Sequence, residues 1–334
     1  MKKIRYGIIG FGNFAERAIL PAIRKSENSE LVAIQKRSIE AAQQKATQYD
    51  IPFFFDSVEK LVALPDIDAV FIVSSNAQHH PETLVAARAK KHVVVEKPMA
   101  LNAQQGREMI DACNRAGVKF MVGHMLRFSP LLQRMKEIVQ SGMIGEVSFA
   151  RSEFIYDGSI SKRSWLWDKH AAGGGPLFDV GIHCLDSIRF VLNDTVSDVE
   201  SMMRFPEAEN SVEKASLLSL RFSRGVLATI YSSFEAPYRQ SFIEFIGTKG
   251  SISAYYFTPS NVKTAIEVKM GKTGNLDAVT KEEFEIPDLY QLEITHFSEC
   301  ILRNTEPIIS TESSLHNQHI LDVALEQGEK IVRS

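Results

Sequence analysis

The sequence predicts an α/β domain built on a doubly wound parallel sheet, followed by a second domain rich in β-strands. Its 334 residues exceed what one hydrophobic core usually holds, so we expect two domains, at residues 1–122 and 123–334. Strand-like and helix-like runs alternate along the first domain, which is typical of a parallel sheet. Residues 147–257 contain several strand-like runs, such as "SLLSLRFSRGVLATIYSSFE".

The first strand leads into a glycine-rich turn. "IRYGIIGFGNFAERAI" begins as an apolar strand, turns through Gly10 and Gly12, and enters a helix near Asn13. In this G-x-G-x-x-A pattern the first glycine permits a tight turn and the second lets the backbone approach a pyrophosphate. Ala15 lets helix and strand pack closely, and the helix N-terminus attracts phosphate. We therefore predict dinucleotide contacts from Gly10, Gly12, Asn13, Phe14 and Ala15.

The second strand, "LVAIQ" at 31–35, ends where an NAD site usually carries an acid for the ribose 2′-hydroxyl. Lys36, Arg37 and Ser38 follow it, and no acid comes before Glu40. A carboxylate would repel a 2′-phosphate, whereas these three side chains can bind one. The pattern predicts NADP as the cofactor. The alternative is a solvated basic turn, which leaves NAD open.

The alternation continues through the first domain. Ser38 caps a helix, residues 67–75 read as a buried strand, and residues 81–90 read as a helix that starts with a proline. "HVVVE" is the next strand. Asn102 then caps a helix that Gly117 ends, and "VKFMVGH" is a last strand.

The carboxyl ends of the strands predict where a ligand binds, because ligands of doubly wound sheets lie beyond those ends. The residues at these ends are Gly10, Ser74, Glu96 and Gly123. The run of valines at 93–95 is followed directly by Glu96, Lys97 and Pro98. Charged side chains at this position can face a ligand rather than a core, so the end of this strand is predicted to form part of an active site.

Five segments, in order along the chain, carry a resemblance to a known family. They are "GIIGFGNFA" at 7–15, "SSNAQHH" at 74–80, "VVVEKPMA" at 93–100, "LRFSP" at 126–130 and "GGGPLFDVGIHCLD" at 173–186. On these motifs the sequence resembles the glucose–fructose oxidoreductase/inositol dehydrogenase/rhizopine-catabolism family, written Gfo/Idh/MocA. The resemblance implies an N-terminal Rossmann domain and a C-terminal domain with a large, open, mostly antiparallel sheet. It also implies a homodimer or homotetramer formed through the exposed face of that sheet.

The resemblance further implies a catalytic set of Lys97, Asp179 and His183. Asp179 and His183 are four residues apart, with Asp186 three further on, so all three share one face if the stretch is helical. Hydride transfer to nicotinamide requires a proton acceptor for the alcohol hydroxyl, and histidine suits this task because its pKa lies near neutral pH. We assign His183 as the acid/base, Lys97 as the group that positions and polarises the substrate oxygen, and Asp179 as the residue that orients the imidazole.

Further cofactor contacts are expected after the third clear strand, where the family places them. The residues concerned are Ser74, Asn76 and His79, although a histidine there is equally consistent with a helix cap or a surface position. Glu96 is expected to position Lys97 or to contact the nicotinamide ribose. A cis peptide bond before Pro98 is compatible with the turn that aims Lys97.

Two residues of the second domain are candidates for the substrate pocket. Arg127 could donate hydrogen bonds and Trp165 could stack on a sugar face, and ordinary packing is the alternative for each. The family often has an arginine after this tryptophan, but here the next residue is Leu166, which puts that contact in doubt.

Composition excludes several other classes of protein. The formal net charge of −3 gives no basic surplus for nucleic acid, and no apolar run approaches the length of a bilayer span. The N-terminus lacks the apolar segment of a signal peptide, and the three cysteines are few and widely spaced, so we expect a cytoplasmic protein. No His/Cys/Asp grouping suggests a bound metal.

Together these features predict an NADP-dependent oxidoreductase that acts on a hydroxyl or carbonyl group of a sugar, cyclitol or related dihydrodiol. An NAD-linked enzyme, or one that performs a redox-neutral step, is the nearest alternative. A dinucleotide-sensing regulator without turnover is a different class, but such a protein would not need Lys97, Asp179 and His183 together. The substrate class rests on the resemblance alone.

Overall fold

The computed structural model describes residues 2–207 and 210–333. Their contacts form two compact units: the chain up to Met125 with Tyr290–Gln318, and Leu126–Leu289 with the chain from His319 onwards. The predicted fold class is confirmed, because the first unit contains a parallel sheet and the second a large, mostly antiparallel one. In the described part of the chain, no helix is both long enough and apolar enough to cross a membrane.

The first unit is built on a six-stranded parallel sheet with the strand order β3-β2-β1-β4-β5-β6. The Val, Ile and Phe side chains of the strands at 4–9, 69–72 and 92–96 are buried, as expected for a parallel sheet covered on both faces. The strands are β1 (Ile4–Ile9), β2 (Ser29–Gln35), β3 (Phe53–Phe55), β4 (Ala69–Ile72), β5 (His92–Glu96) and β6 (Phe120–Gly123). The helices between them are α1 (Leu20–Lys25), α2 (Ile39–Gln48), α3 (Val58–Val62), α4 (Asn76–Arg88) and α5 (Ala103–Ala116).

The predicted caps of α2 and α5 are confirmed. The Ser38 hydroxyl oxygen accepts a hydrogen bond from the Ala41 N–H, at 3.2 Å. The Asn102 side-chain oxygen accepts one from the Gln105 N–H, at 2.9 Å. Gly117 ends α5 with a φ of +70°, in the left-handed region that glycine adopts without strain.

Helix α4 begins earlier than the sequence predicts. The prediction of a helix over residues 81–90 that starts at a proline is wrong, since α4 starts at Asn76 and contains Pro81. Pro81 is the sixth residue of the helix, where it removes the one hydrogen bond that an N–H would donate to the carbonyl oxygen four residues earlier, and the extended Ser75 serves as N-cap. As a result, Asn76 and His79 both lie in the first turn of a helix that follows β4.

The second unit is built on an eight-stranded sheet with the order β14-β13-β12-β11-β7-β10-β9-β8, in which only β7 and β10 pair in parallel. The strands are β7 (Val147–Asp157), β8 (Val196–Arg204), β9 (Ala215–Phe222), β10 (Leu227–Ser233), β11 (Glu235–Gly247), β12 (Gly250–Tyr255), β13 (Val262–Lys272) and β14 (Asn275–Ile286). The helices of this part of the chain are α6 (Pro130–Gln140), α7 (Lys169–Ala172) and α8 (Ile182–Leu192), and α9 (Leu289–Arg303) and α10 (Thr311–Arg333) follow the sheet.

One face of this sheet leaves large apolar side chains exposed. Residues along β9 alternate between buried and exposed, as expected when only one face is covered. On the exposed face, Met202 and Tyr231 are both cross-strand neighbours of Leu217. All three are more than a third exposed, at 67%, 41% and 39% for Met202, Tyr231 and Leu217. A row of exposed apolar side chains across neighbouring strands is typical of a surface that another protein covers.

Helix α9 packs in the first unit, although it follows the eight-stranded sheet in sequence. The buried Tyr6 hydroxyl on β1 lies 2.7 Å from the Ser298 hydroxyl, which also lies 2.8 Å from that of Ser29. The Asn28 side chain donates to the Thr295 carbonyl oxygen at 2.9 Å. These contacts join Tyr290–Gln318 to the first unit. The domain boundary between residues 122 and 123 remains a prediction.

Candidate active site

The turn after β1 has a shape that requires glycine. Gly10 has a φ of +80°, and a Cβ there would lie 2.8 Å from both the Cα and the backbone nitrogen of Ser74. A Cβ at Gly12 would meet nothing closer than the Gly10 oxygen, at 3.8 Å. A tight turn with open space beside its second glycine fits the pyrophosphate of a dinucleotide.

The three residues that follow the turn differ in exposure. Asn13 is exposed, Phe14 is half-buried with its ring edge-on to Tyr290, and Ala15 is fully buried. Ala15 begins a wide, π-type turn that runs into α1. The small side chain of Ala15 therefore has the packing role predicted for it, and the side chain of Asn13 is accessible to a ligand.

Gln35 holds the glycine turn in place, a role that the sequence analysis missed. Its side chain is buried at the end of β2, where its oxygen accepts from the Gly10 N–H at 3.1 Å. Its amide nitrogen donates to the Asp56 carbonyl oxygen, also at 3.1 Å. The sequence does contain a signal for this role, because Gln35 is a polar residue at the end of the apolar strand β2. An acid at this position could not make the second bond.

The predicted 2′-phosphate ligands after β2 have different environments. Lys36 is partly buried, which lowers the pKa of its ammonium group, and it donates to the Phe11 carbonyl oxygen at 2.5 Å. The Ser38 hydroxyl donates to the Glu40 carboxylate at 2.7 Å. Arg37 is exposed. Arg37 therefore carries the more accessible of the two positive charges.

At the end of β4, Ser74 lies against the glycine turn and bonds to an acid. Its hydroxyl donates to the Glu82 carboxylate at 2.6 Å. Burial raises the pKa of Glu82 to about 7, even though the Ser74 hydroxyl favours the ionised form. Ser74 thus links the turn at Gly10 to α4, and Glu82 is a further residue that the sequence analysis missed.

His79 is buried beneath the turn that carries Lys97. Its Nδ1 lies 2.8 Å from the carbonyl oxygen of Pro98, and burial lowers the pKa of its imidazole to about 4, which keeps it neutral. Asn76, at the start of α4, is also buried. The bond to Pro98 supports a positioning role for His79, which differs from the cofactor contact that we predict from the sequence.

Glu96 and Lys97 end β5 in a compact turn. The Glu96 carboxylate is buried and accepts a hydrogen bond from the Lys97 backbone N–H at 3.1 Å. The Lys97–Pro98 peptide bond is cis. Gly123 at the end of β6 lies next to Glu96, and a Cβ there would be in ordinary contact with the carboxylate oxygen, at 3.4 Å. These contacts fit the predicted role of Glu96 in positioning Lys97.

A second carboxyl group, that of Glu293 on α9, interacts electrostatically with Glu96. Glu293 is completely buried, and neither of its side-chain oxygens has a hydrogen-bond partner among the described residues. Burial first, and the nearby Glu96 second, raise the pKa of Glu293 well above its usual value. The folded protein therefore holds a proton there that the unfolded chain releases above the ordinary carboxyl pKa of 4.5.

Because only the folded protein holds this proton, we predict that Glu293→Gln is more stable than the wild type at alkaline pH. The stability of the wild type should fall as pH rises from 4.5 towards the folded pKa, by up to about 1.4 kcal/mol per pH unit. Glutamine has no proton to lose, so the variant should lack this part of the slope. Urea unfolding at pH values near 5 and 8 checks it, with Glu299→Gln on the same helix as control. Equal slopes for Glu293→Gln and the wild type would contradict the prediction.

In the second unit, Asp179 is held by two residues that the sequence analysis did not assign to the site. The Arg163 guanidinium donates to both carboxylate oxygens, at 2.8 Å each, and the Tyr156 hydroxyl donates to one of them at 2.7 Å. Asp179 itself is 7% exposed and lies in a π-type turn, Leu177–Gly181, that continues into α8. The stretch is helical, as the predicted shared face requires.

His183 lies in the first turn of α8, with aromatic side chains nearby. Its ring centroid is 6.2 Å from that of Phe154, two residues before Tyr156 on β7. Trp165 lies under the Arg163 guanidinium, 5.6 Å from its central carbon. Phe154 is 3% exposed, whereas Trp165 is half-buried, so Trp165 is the more accessible of these two rings for stacking on a sugar.

Arg127 forms a buried ion pair with Asp186, one turn beyond His183. Three N–H···O contacts of 2.6 to 3.2 Å join the guanidinium to the carboxylate, and the two residues are 7% and 2% exposed. The carboxylate raises the pKa of Arg127 against the opposing effect of burial. These contacts indicate that Arg127 holds α8 in position. They support the alternative of a structural role for Arg127 over a hydrogen bond to the substrate.

Glu213 anchors the glycine segment before Asp179. It is completely buried, and its carboxylate accepts from the backbone N–H groups of Gly175 and Leu177, at 2.8 and 3.0 Å. A Cβ on Gly175 would lie 2.1 Å from the Glu213 carbonyl oxygen, so a glycine is required there. Burial raises the pKa of Glu213 to about 7. No local pattern in the sequence pointed to this long-range contact.

Comparison with known proteins identifies the family. Residues 4–124 match the oxidoreductase family with an NAD-binding Rossmann fold, and residues 132–253 match the GFO/IDH/MocA C-terminal domain. The chain is 30% identical over 312 residues to 1,5-anhydro-D-fructose reductase of Ensifer adhaerens. The aligned region covers 93% of this chain and 92% of that protein. The chain belongs to the Gfo/Idh/MocA family of oxidoreductases.

Two further members of the Gfo/Idh/MocA family match over nearly the full length. D-xylose 1-dehydrogenase (NADP(+)) 2 of Haloferax volcanii is 29% identical, over 97% of both chains. The crystal structure of aldose–aldose oxidoreductase from Caulobacter crescentus, complexed with glycerol, superposes with a TM-score of 0.86 at 27% identity, over 98% of both chains. The resemblance inferred from the five motifs is thus confirmed. The protein is an oxidoreductase with a Rossmann domain for a nicotinamide dinucleotide.

Proposed function

We propose that this protein is an NADP-dependent oxidoreductase that acts on a hydroxyl or carbonyl group of a sugar, cyclitol or related dihydrodiol. Its relatives support the substrate class, since they include 1,5-anhydro-D-fructose reductase, D-xylose 1-dehydrogenase and trans-1,2-dihydrobenzene-1,2-diol dehydrogenase. The observation that carries the proposal is that one chain has the glycine turn, Lys97 directly after the buried Glu96, and Asp179 with His183 in one helix.

Each residue of the catalytic set has a separate role in this proposal. Nicotinamide, when bound, accepts or supplies the hydride. His183 takes the hydroxyl proton during oxidation and returns it during reduction. The Lys97 ammonium group holds the substrate oxygen and stabilises negative charge that develops on it. Asp179 orients the imidazole, and Trp165 supports the sugar by stacking.

The function is tested by a panel of substrates with each cofactor. We expect NADPH oxidation with 1,5-anhydro-D-fructose, or NADP⁺ reduction with D-xylose or a trans-dihydrodiol, followed by the absorbance of the reduced cofactor. Turnover with NAD(H) alone would contradict the assignment of NADP as the cofactor, but the assignment of the protein as an oxidoreductase would stand. Dinucleotide binding without turnover of any member of a broad panel of sugars, cyclitols and diols would favour the regulator instead.

Arg37 provides a sharper test of the preference for NADP. Arg37→Gln should weaken NADPH binding about 10- to 100-fold, because a charge-assisted contact with a phosphate contributes roughly 1.5–3 kcal/mol, and NADH binding should change little. Isothermal titration calorimetry measures both. Arg88→Gln, an exposed arginine at the end of α4, is the matched control. Equal effects of Arg37→Gln on both cofactors would contradict the proposal.

One observation favours NAD as the second candidate. The Glu40 carboxylate lies beside the predicted phosphate site, where it accepts the hydrogen bond from Ser38, and this bond lowers the pKa of Glu40. An ionised acid at this position repels a 2′-phosphate. If NADH binds better than NADPH, Glu40→Gln should reverse part of that preference, and the calorimetric comparison above measures the change.

We also propose that the protein forms a homodimer or homotetramer through the exposed face of its eight-stranded sheet. The row of Met202, Leu217 and Tyr231 supports this, because a face with so many exposed apolar side chains is usually covered. Light scattering of the purified protein gives the oligomeric state. Leu217→Lys should shift the protein towards monomers, since it would bury a charge in the proposed interface.

A further inference from the structure

We propose that Arg163 and Tyr156 act as a clamp that keeps Asp179 a charge-compensated carboxylate, so that Asp179 tunes the proton affinity of His183 without exchanging a proton itself. The two residues are positioning residues, because they act through Asp179. The inference rests on the proposed function, in which His183 is the acid/base.

The bonds to Asp179 support the first half of this inference. Three donors reach its carboxylate: two guanidinium N–H groups, one on each oxygen, and the Tyr156 hydroxyl. A bidentate arginine pair is among the strongest charge-assisted contacts in proteins, and each of these bonds favours the carboxylate over the acid. Burial and the neighbouring carboxylate raise the pKa of Tyr156, which therefore remains a neutral donor.

The position of the clamp relative to His183 supports the second half. Asp179 and His183 are one helical turn apart. Tyr156 and Phe154 are two apart on β7 and so point to the same face of the strand. There Tyr156 bonds to Asp179, and the Phe154 ring faces that of His183 at 6.2 Å. Asp179 and His183 therefore both lie next to side chains on the same face of β7, so we expect a change of charge at Asp179 to alter the pKa of His183.

The charged groups around this helix and strand are mostly paired. Arg163 compensates Asp179, and Arg127 compensates Asp186 one turn beyond His183. The guanidinium carbon of Arg239 lies over the Phe154 ring, at 5.1 Å from its centroid. Removing either member of the Arg163–Asp179 pair leaves the other charge uncompensated, with opposite signs in the two cases. The two variants should therefore shift the pKa of His183 in opposite directions, which a purely structural role of Arg163 would not produce.

The test is a direct titration of His183. The protein is labelled with ¹⁵N-histidine, and the imidazole signals are followed by NMR against pH, with the His183 signal assigned by its loss in His183→Gln. Arg163→Gln should raise the pKa of His183 by about one unit, because an uncompensated carboxylate favours the imidazolium. Asp179→Asn should lower it by a similar amount, because the arginine charge remains.

Conservative variants separate charge from packing. Arg163→Lys keeps the positive charge and should leave the pKa of His183 near its wild-type value, even though it loses the bidentate bond. Tyr156→Phe removes one donor without a change in charge and should also have little effect on this pKa. Arg151→Gln is the matched control, since Arg151 is on the same strand and pairs with Glu244 at 2.7 Å instead.

The outcomes distinguish this inference from the proposed function. Shifts of the same sign in Arg163→Gln and Asp179→Asn, or no shift in either, would overturn the clamp. If Arg163→Gln does not fold, Asp179→Asn and Arg163→Lys still decide the question. The titration needs no substrate, so a protein without turnover would contradict the proposed function and leave the clamp intact. Where turnover is found, the pH dependence of kcat should move with the pKa of His183.

Discussion

Lys97→Ala should lower kcat by about 10²- to 10⁴-fold, the usual contribution of a positioned acid–base or charged group, while the Kd for the cofactor changes little. The ammonium group is lost, but the backbone bond from Lys97 to the Glu96 carboxylate remains, so the end of β5 should keep its shape. Steady-state kinetics on the best substrate of the panel and calorimetry with the cofactor measure the two effects separately.

The matched control is Lys3→Ala, which removes an exposed lysine from the same unit. Its rate and cofactor affinity should equal those of the wild type. A near-normal rate for Lys97→Ala would show that Lys97 is not catalytic. A large loss of cofactor affinity in Lys97→Ala would instead assign its main role to binding of the dinucleotide.

Arg127→Ala should reduce the free energy of unfolding by about 3–5 kcal/mol, because it leaves a buried carboxylate without its partner. Asp186 is 2% exposed and accepts three contacts from Arg127 in the native protein. Replacing both members with apolar residues of similar size, as in Arg127→Met with Asp186→Leu, should recover most of this loss. Chemical denaturation of the three proteins provides the values.

The same experiment decides between the two readings of Arg127. If this residue contacts the substrate, Arg127→Ala should raise KM and leave the unfolding free energy close to that of the wild type. An exposed pair of similar geometry, Arg107 with Glu312, is the control. Arg107→Ala should change stability little, since solvent already screens that pair. A small effect in both variants would contradict the structural role of Arg127.

Local signals were sufficient for much of the first domain. The glycine turn, the caps at Ser38 and Asn102, and the buried valine strand that ends at Glu96 each depend on neighbours in sequence. The start of α4 was predicted wrongly, because proline is the strongest local marker of a helix start. Pro81 is instead the sixth residue of α4, inside the helix, and the helix begins at Asn76 after Ser75.

The partners of the predicted site residues could not be predicted in this way. Gln35 reaches Gly10 across 25 positions of sequence, and Glu213 reaches Gly175 across 38. Arg163 lies 16 residues before Asp179, in a segment whose sequence shows only a basic loop. Each of these contacts forms because the fold buries a polar group that must then find a partner, and only the packed structure decides which partner is near.

The sequence by itself therefore determined the family, the fold class and the residues proposed for the chemistry, since these depend on motifs that local backbone geometry and nicotinamide chemistry demand. The tertiary structure decided how those residues are held. It assigned Arg127 to a buried ion pair, joined α9 to the first unit, and brought Arg163 and Tyr156 to Asp179. The physical reason is that burial makes an unpaired charge or hydrogen-bonding group costly, and its compensation comes from residues distant in sequence.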